Sequence, residues 1–121
     1  MARKPIPKKI RKQVYAKYNG HCAYCGCELA YKDMQVDHIE SVERAFWMGK
    51  EADNSINNYN PACRQCNFYK STYPLEMFRE NITKTMIPNL QKNFNYRLAI
   101  KYGFVEEKEI KPVVFYFEKQ Q

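Results

Sequence analysis

The sequence predicts a small α+β domain whose core is clipped together by four cysteines. Two Cys-x-x-Cys pairs, CAYC at 22–25 and CRQC at 63–66, stand 37 residues apart. Between them residues 34–39 alternate as a short strand, with Met34, Val36 and His38 on one face and Gln35, Asp37 and Ile39 on the other. Outside the pairs, apolar residues recur at helical spacing. A chain of 121 residues is read as one domain over 1–121, with a core at about 19–72 and an extension over 74–121. So small a core is marginal unless a metal or cross-link helps it.

The elements follow in order. Ile10, Val14 and Tyr18 recur every four residues among Lys8, Lys9, Arg11, Lys12 and Lys17, which predicts a basic helix over 6–19 with Asn19-Gly20 as its stop. HCAYCGCEL is a tight cysteine turn, and the strand over 34–39 follows it. Residues 40–57 are polar and irregular apart from AFWM and read as a loop. YNPACRQCNFYK passes through the second cysteine turn into a helix starting near Cys66 or Asn67. Tyr73-Pro74 opens another helix with Leu75, Phe78 and Ile82 as its stripe. Pro88 separates it from a helix over 89–102, where Leu90, Phe94 and Leu98 repeat and Gly103 ends the pattern. VVFYF at 113–117 reads as a C-terminal strand.

Composition narrows the classes. Hydrophobic residues make up 45% of the chain, which excludes a disordered one. No apolar run approaches the ~20 residues of a membrane span. MARKPIPKKI has no apolar stretch behind its charges and does not read as a secretory signal, so the expected location is cytoplasmic, with no membrane partner. Five cysteines in a reducing compartment are metal ligands or free thiols before they are disulfides, and an odd count cannot pair completely within one chain.

Net charge is +7, unevenly placed. Residues 1–20 hold seven basic side chains and no acidic one, residues 21–60 hold three basic and seven acidic, and residues 61–101 hold seven basic and two acidic. Two basic zones flank an acidic middle, which suits a polyanion gripped beside a site that itself needs carboxylates. Ordinary solvated surface is the competing explanation.

Cys22, Cys25, Cys63 and Cys66 form two chelating pairs, and four soft sulfurs in a tetrahedron select Zn²⁺. Cys27 is a bystander or a substitute ligand. His21, directly beside Cys22, has poor chelate geometry and reads as exposed or phosphate-facing. His38 can act as a base near neutral pH. Its neighbour Asp37 points to the other face of the strand. A carboxylate with a neutral amide oxygen suits Mg²⁺ or a similar hard ion, and Asn67, fixed by its neighbour Cys66, offers that amide.

C-x-x-C, then V-D-H-I, then an Asn five residues before C-x-x-C-N-x-x-K, resembles the HNH endonuclease family in the form whose last motif residue is Asn. The match runs from about Asn19 to Lys70. The resemblance implies a ββα-metal core of two short strands and a helix, and metal-dependent hydrolysis of double-stranded DNA. It implies His38 as general base, Asp37 and Asn67 as holders of Mg²⁺, Mn²⁺ or another divalent ion, and Asn58 as the middle Asn that shapes the loop and orients His38. Asn60 is the runner-up for that position. Lys70 and Arg64 would contact phosphate, joined by Lys8, Lys9, Arg11 and Lys12 of the basic helix. An intracellular bacterial or phage-type protein is implied. One such site cuts one strand, so double-strand cleavage needs a homodimer or successive nicks. The family often has a Pro and a Gly-rich turn after Asp-His, where this chain has ESVERAFWMGKEADN. A non-catalytic zinc-containing nucleic-acid-binding module is the alternative, and a zinc-stabilised protein-interaction domain a third.

Overall fold

The computed structural model describes residues 5–120, and the first four residues of the basic N-terminal zone lie outside them. The chain up to Leu75 together with the return from Val114 forms one compact unit, and Glu76–Val113 forms another.

In the first unit, α1 (Lys8–Ala16) is shorter at both ends than the 6–19 expected. Ile6 precedes Pro7, and a residue before proline is pushed out of the helical region. After Ala16 the chain turns through Asn19 (φ 54°) and Gly20 (φ 77°), and the Gly20 amide bonds back to the Tyr15 carbonyl at 3.1 Å. The predicted Asn-Gly stop therefore operates, one loose turn beyond the regular helix.

The sheet is one antiparallel pair, β1 (Gln35–His38) with β2 (Tyr59–Ala62), in the register Gln35↔Ala62, Val36↔Pro61, Asp37↔Asn60 and His38↔Tyr59. Pro61 hides the second strand from propensity reading, because proline cannot donate to a ladder. The Pro61 carbonyl accepts instead from the Ala23 amide of the first cysteine turn at 2.8 Å. In an antiparallel strand a residue's N and O point the same way, so the missing N–H also faces away from β1 and costs the pair nothing.

Val14, Met34, Val36 and Tyr59 form the apolar core, with Ile6, Ile10, Tyr15, Leu29 and Tyr31 packed around it. α1 thus covers the Met34/Val36 face predicted from alternation. The opposite face of β1 receives α3 (Arg64–Lys70), through Asn67 on Gln35 and Lys70 on Asp37. This helix starts two or three residues earlier than expected, because Cys63 is its N-cap and its sulfur accepts from the Cys66 amide at 3.4 Å.

Two further expectations are corrected in this unit. Residues 42–47 are not loop but a short helix, α2 (Val42–Trp47), capped by the Ser41 hydroxyl accepting from the Arg44 amide at 3.0 Å. The C-terminal run 113–117 forms no strand, and residues 116–120 close in a 3-10 turn. Its alternation serves packing instead: the Phe115 and Phe117 rings stack at 6.2 Å and both meet Tyr24 edge-on.

The second unit continues α4 (Leu75–Asn81) through a π turn (Ile82–Met86) into α5 (Ile87–Gln91), followed by α6 (Phe94–Lys101). Pro88 therefore does not separate the helices. It sits in the first turn of α5, directly after the π turn where the hydrogen-bond register changes. The break falls at Asn93, whose side chain caps α6 on the Tyr96 amide at 3.0 Å. Leu90, Phe94 and Leu98, which repeat every four residues, are 41%, 67% and 39% exposed. Among the described residues no helix is long and apolar enough to cross a membrane.

Gly26 (φ 81°) turns the first cysteine knuckle, and a Cβ there would lie 2.6 Å from the Tyr116 ring. Gly26→Ala is expected to cost at least the ~1–2 kcal/mol of a left-handed non-glycine residue, measured as a lowered urea midpoint at unchanged zinc content.

Candidate metal centre and active site

The four cysteines of the two pairs converge. The sulfurs of Cys22, Cys25, Cys63 and Cys66 all lie within 4.8 Å of one another, and Cys25 and Cys63 approach to 3.9 Å. A Zn–S bond of about 2.3 Å in a tetrahedron sets sulfurs about 3.8 Å apart, so the donor set and spacing are compatible with zinc. Two structural turns build the site. The first is closed by Cys22 N to Cys27 O (2.8 Å) and Gly26 N to Cys22 O (3.0 Å), and the second is the N-terminus of α3. Packed this closely, the thiols perturb one another: a hydrogen bond from Cys66 lowers Cys22, and the same contact raises Cys66. Cys27 is exposed and outside the four, its thiol pushed up to about 12 by burial first and by Cys25 next. His21 is not presented outward as expected; it is half-buried, stacked on Tyr116 at 5.3 Å, with Nδ1 3.1 Å from the Tyr18 carbonyl.

Asp37 and His38 end β1, both 3% exposed, and project to opposite faces of it. On the α3 side, Asp37 accepts a hydrogen bond from the Tyr24 hydroxyl and pairs with the Lys70 ammonium at 3.2 Å. Burial raises the Asp37 carboxyl above the usual range, and Lys70 and then Tyr24 act in the opposite direction. Burial, followed by the Asp37 charge, raises the Tyr24 phenol. Asn60, directly across the ladder from Asp37, is fully buried and donates to the Tyr24 hydroxyl at 3.4 Å. Asn67 donates to the Gln35 side chain on this same strand face. That contact uses the amide nitrogen.

On the other face the His38 ring meets Tyr59, its ladder partner, edge-on at 4.8 Å. Its Nε2 lies 3.2 Å from the Asn54 side-chain oxygen, and its Nδ1 is buried without a partner among the described residues. Asn54 and Tyr24 were both missed in the sequence. Neither contact has a local signal, because one is made by a returning loop and the other across the cysteine clip.

Three expected roles change. No hydrogen bond joins the Asn58 side chain to His38 among the described residues: that side chain accepts from the Glu40 amide (2.9 Å) and donates to the Glu40 and Asp53 carbonyls (3.1 and 2.9 Å). It shapes the loop after His38, as expected, while Asn54 and Tyr59 make the contacts to the ring. Lys70, expected at phosphate, is turned inward: it is 0% exposed, held by Asp37 and by the His38 carbonyl at 3.0 Å. Arg11 is likewise turned inward, donating to the Met34 and Tyr31 carbonyls at 2.8 and 3.2 Å with its guanidinium over the Tyr31 ring. Burying a cation is costly, so each is spent on acceptors the fold supplies. Lys8, Lys9, Lys12 and Arg64 remain exposed.

With this geometry in place, comparison with known proteins is informative. The family model described as HNH endonuclease matches residues 22–72. The CRISPR-associated endonuclease Cas9 of Corynebacterium diphtheriae is 32% identical over 71 residues, which covers 59% of this chain and 6% of that protein. The Type II-C Cas9 enzyme from Actinomyces naeslundii superposes with a TM-score of 0.53 at 19% identity, over 83% of this chain and 11% of that one. The last likeness is one of fold. The chain spans only a small part of the length of either relative.

Cys63→Ser is expected to lower zinc stoichiometry and unfold the first unit, because structural zinc contributes folding free energy. Circular dichroism before and after chelation, beside metal analysis, checks this, and a chelated protein melting like the native one refutes the clip. Lys70→Met leaves Asp37 buried without its cation and should cost about 3–5 kcal/mol in denaturant titration. A stable variant with weakened DNA binding would restore Lys70 to phosphate contact.

Proposed function

We propose that the HNH endonuclease segment at residues 22–72 hydrolyses phosphodiester bonds of double-stranded DNA. The family match and the likeness to Cas9 endonucleases support a nuclease-type function. The observation that carries the finer reading is the end of β1, where a buried imidazole and a buried carboxylate occupy adjacent positions beside the zinc-compatible clip. Asp37 has Lys70 and Tyr24 as partners, whereas His38 Nδ1 is buried without one among the described residues, a cost that a binding module has no use for.

His38 is the base in this reading. Its unpartnered Nδ1 is the free acceptor that takes a proton from water, while Asn54 engages the other nitrogen. A buried acceptor without a partner is unfavourable, which favours a water arriving there with the substrate. The water oxygen forms the new bond to phosphorus, the bond to the leaving oxygen breaks, and the proton resides on His38. Tyr59 fixes the ring edge-on, and Asn58 holds the loop that carries Asn54.

The residues present suit a hard divalent ion. Asp37 and the oxygen of Asn67 would hold it, on one face of β1, and Asn60, across the ladder from Asp37, has a further buried oxygen without a partner. Such an ion would neutralise charge on the phosphate and steady the leaving oxygen. Tyr24 and Lys70 orient the Asp37 carboxylate, and Lys70 also pins the strand end through the His38 carbonyl. The exposed Lys8, Lys9, Lys12 and Arg64 would contact the DNA backbone.

Nicking of supercoiled plasmid, with Mg²⁺ or Mn²⁺ against EDTA, tests the reading. Wild type should nick only with the added ion. His38→Ala should lose at least about 100-fold in rate, the usual worth of a general base, while keeping fold, zinc and DNA retention. Undiminished nicking by His38→Ala removes it as the base. No nicking by wild type that binds both zinc and DNA would make this a binding module.

A further inference from the structure

The second unit carries a surface that the nuclease reading does not use. Between residues 82 and 105 the chain holds four basic residues, Lys84, Lys92, Arg97 and Lys101, and no acidic one. α6 sorts its side chains by helical period. Tyr96, Ala99 and Ile100 are half-buried, whereas Phe94, Arg97, Leu98, Lys101 and the following Tyr102 are all exposed. These five fall at i, i+3, i+4, i+7 and i+8, which is one face of the helix.

The composition of that face points to its ligand. Phe94 and Tyr102 are 67% and 72% exposed, rings that folding leaves in water. At 1.5 Å per residue they stand about 12 Å apart along the helix. Arg97 and Lys101 lie between them, and a cleft of about 190 Å³ opens among Phe94, Arg97, Leu98 and Lys101. Neither cation has an ion-pair partner among the described residues. A self-complementary contact between two copies would set these cations against their own counterparts, a juxtaposition that is repulsive. Rings that stack on bases, interleaved with cations that take phosphates, instead match a single strand with unstacked bases.

We propose that the exposed face of α6 binds single-stranded nucleic acid, with Phe94 and Tyr102 stacking on bases and Arg97 and Lys101 holding phosphates. The choice of ligand class rests on the nuclease reading. The surface itself is independent of His38 and of the clip.

The test uses the full zinc-loaded chain in a His38→Ala background and a fluorescent oligothymidylate, titrated by anisotropy at several NaCl concentrations. Arg97→Ala/Lys101→Ala should lower the slope of log affinity against log salt by about 1.4, at about 0.7 per single-strand phosphate contact. Phe94→Ala/Tyr102→Ala should weaken binding at least about tenfold with the slope unchanged, as expected for lost stacking. All four side chains are exposed, so circular dichroism and zinc content should match the parent. The proposal is overturned if the parent does not bind, if both variants bind like it, or if sedimentation shows a parent dimer that the variants dissolve, which would make the face a contact between copies. Plasmid nicking is read separately: oligonucleotide binding without nicking leaves α6 standing, and nicking without binding removes α6 alone.

Discussion

Everything in the first unit hangs on bringing two cysteine turns to one point. Separated by 37 residues, they can meet only if the chain between them folds back, and that chain carries β1, α2 and β2. The turns also share bonds with what they hold. Cys63 caps α3, and the amide of Ala23 takes the outward carbonyl of Pro61. A domain with so short a sheet has little apolar burial to spend. A metal held by the four sulfurs would supply what the core does not.

The clip also places a polar layer. Tyr24, inside the first pair, carries its hydroxyl to Asp37, and its ring gives Phe115 and Phe117 a surface. α3, started by the second pair, brings Lys70 to the same carboxylate. One face of the sheet is therefore apolar against α1 and the other is charged against α3. A buried ion pair of this kind contributes little net stability, and its value lies in the geometry it enforces. Here that geometry is the orientation of a carboxylate beside a histidine whose Nδ1 has no partner among the described residues.

Much of this was legible in residue order, for reasons that differ by element. The cysteine pairs are chelate geometry written locally, and the Met34–Ile39 alternation needs only the period of a strand. β2 was hidden by Pro61, whose missing N–H is harmless only because its partner lies on the other side. α2 was hidden by a polar sequence, although Ser41 three residues before Arg44 was a readable cap. The VVFYF run misled because alternating aromatics satisfy a strand pattern and a packed turn equally well. Leu90, Phe94 and Leu98 mark helical residues correctly and leave their surroundings open, because helical period reports that a face exists, not that anything covers it.

The sequence by itself determined the four sulfurs, the adjacency of Asp37 and His38 on opposite strand faces, and the helices that flank the clip at α1 and α3, because each follows from spacing along the chain. Only the tertiary structure decided which polar groups serve one another. Lys70 and Arg11 looked like surface cations, but Lys70 is buried on a carboxylate and a carbonyl and half-buried Arg11 turns in to two carbonyls, and Asn54 rather than Asn58 reaches His38. A long side chain can reach several acceptors, and which one it meets depends on contacts tens of residues away. The free energy of burying charge then fixes the outcome.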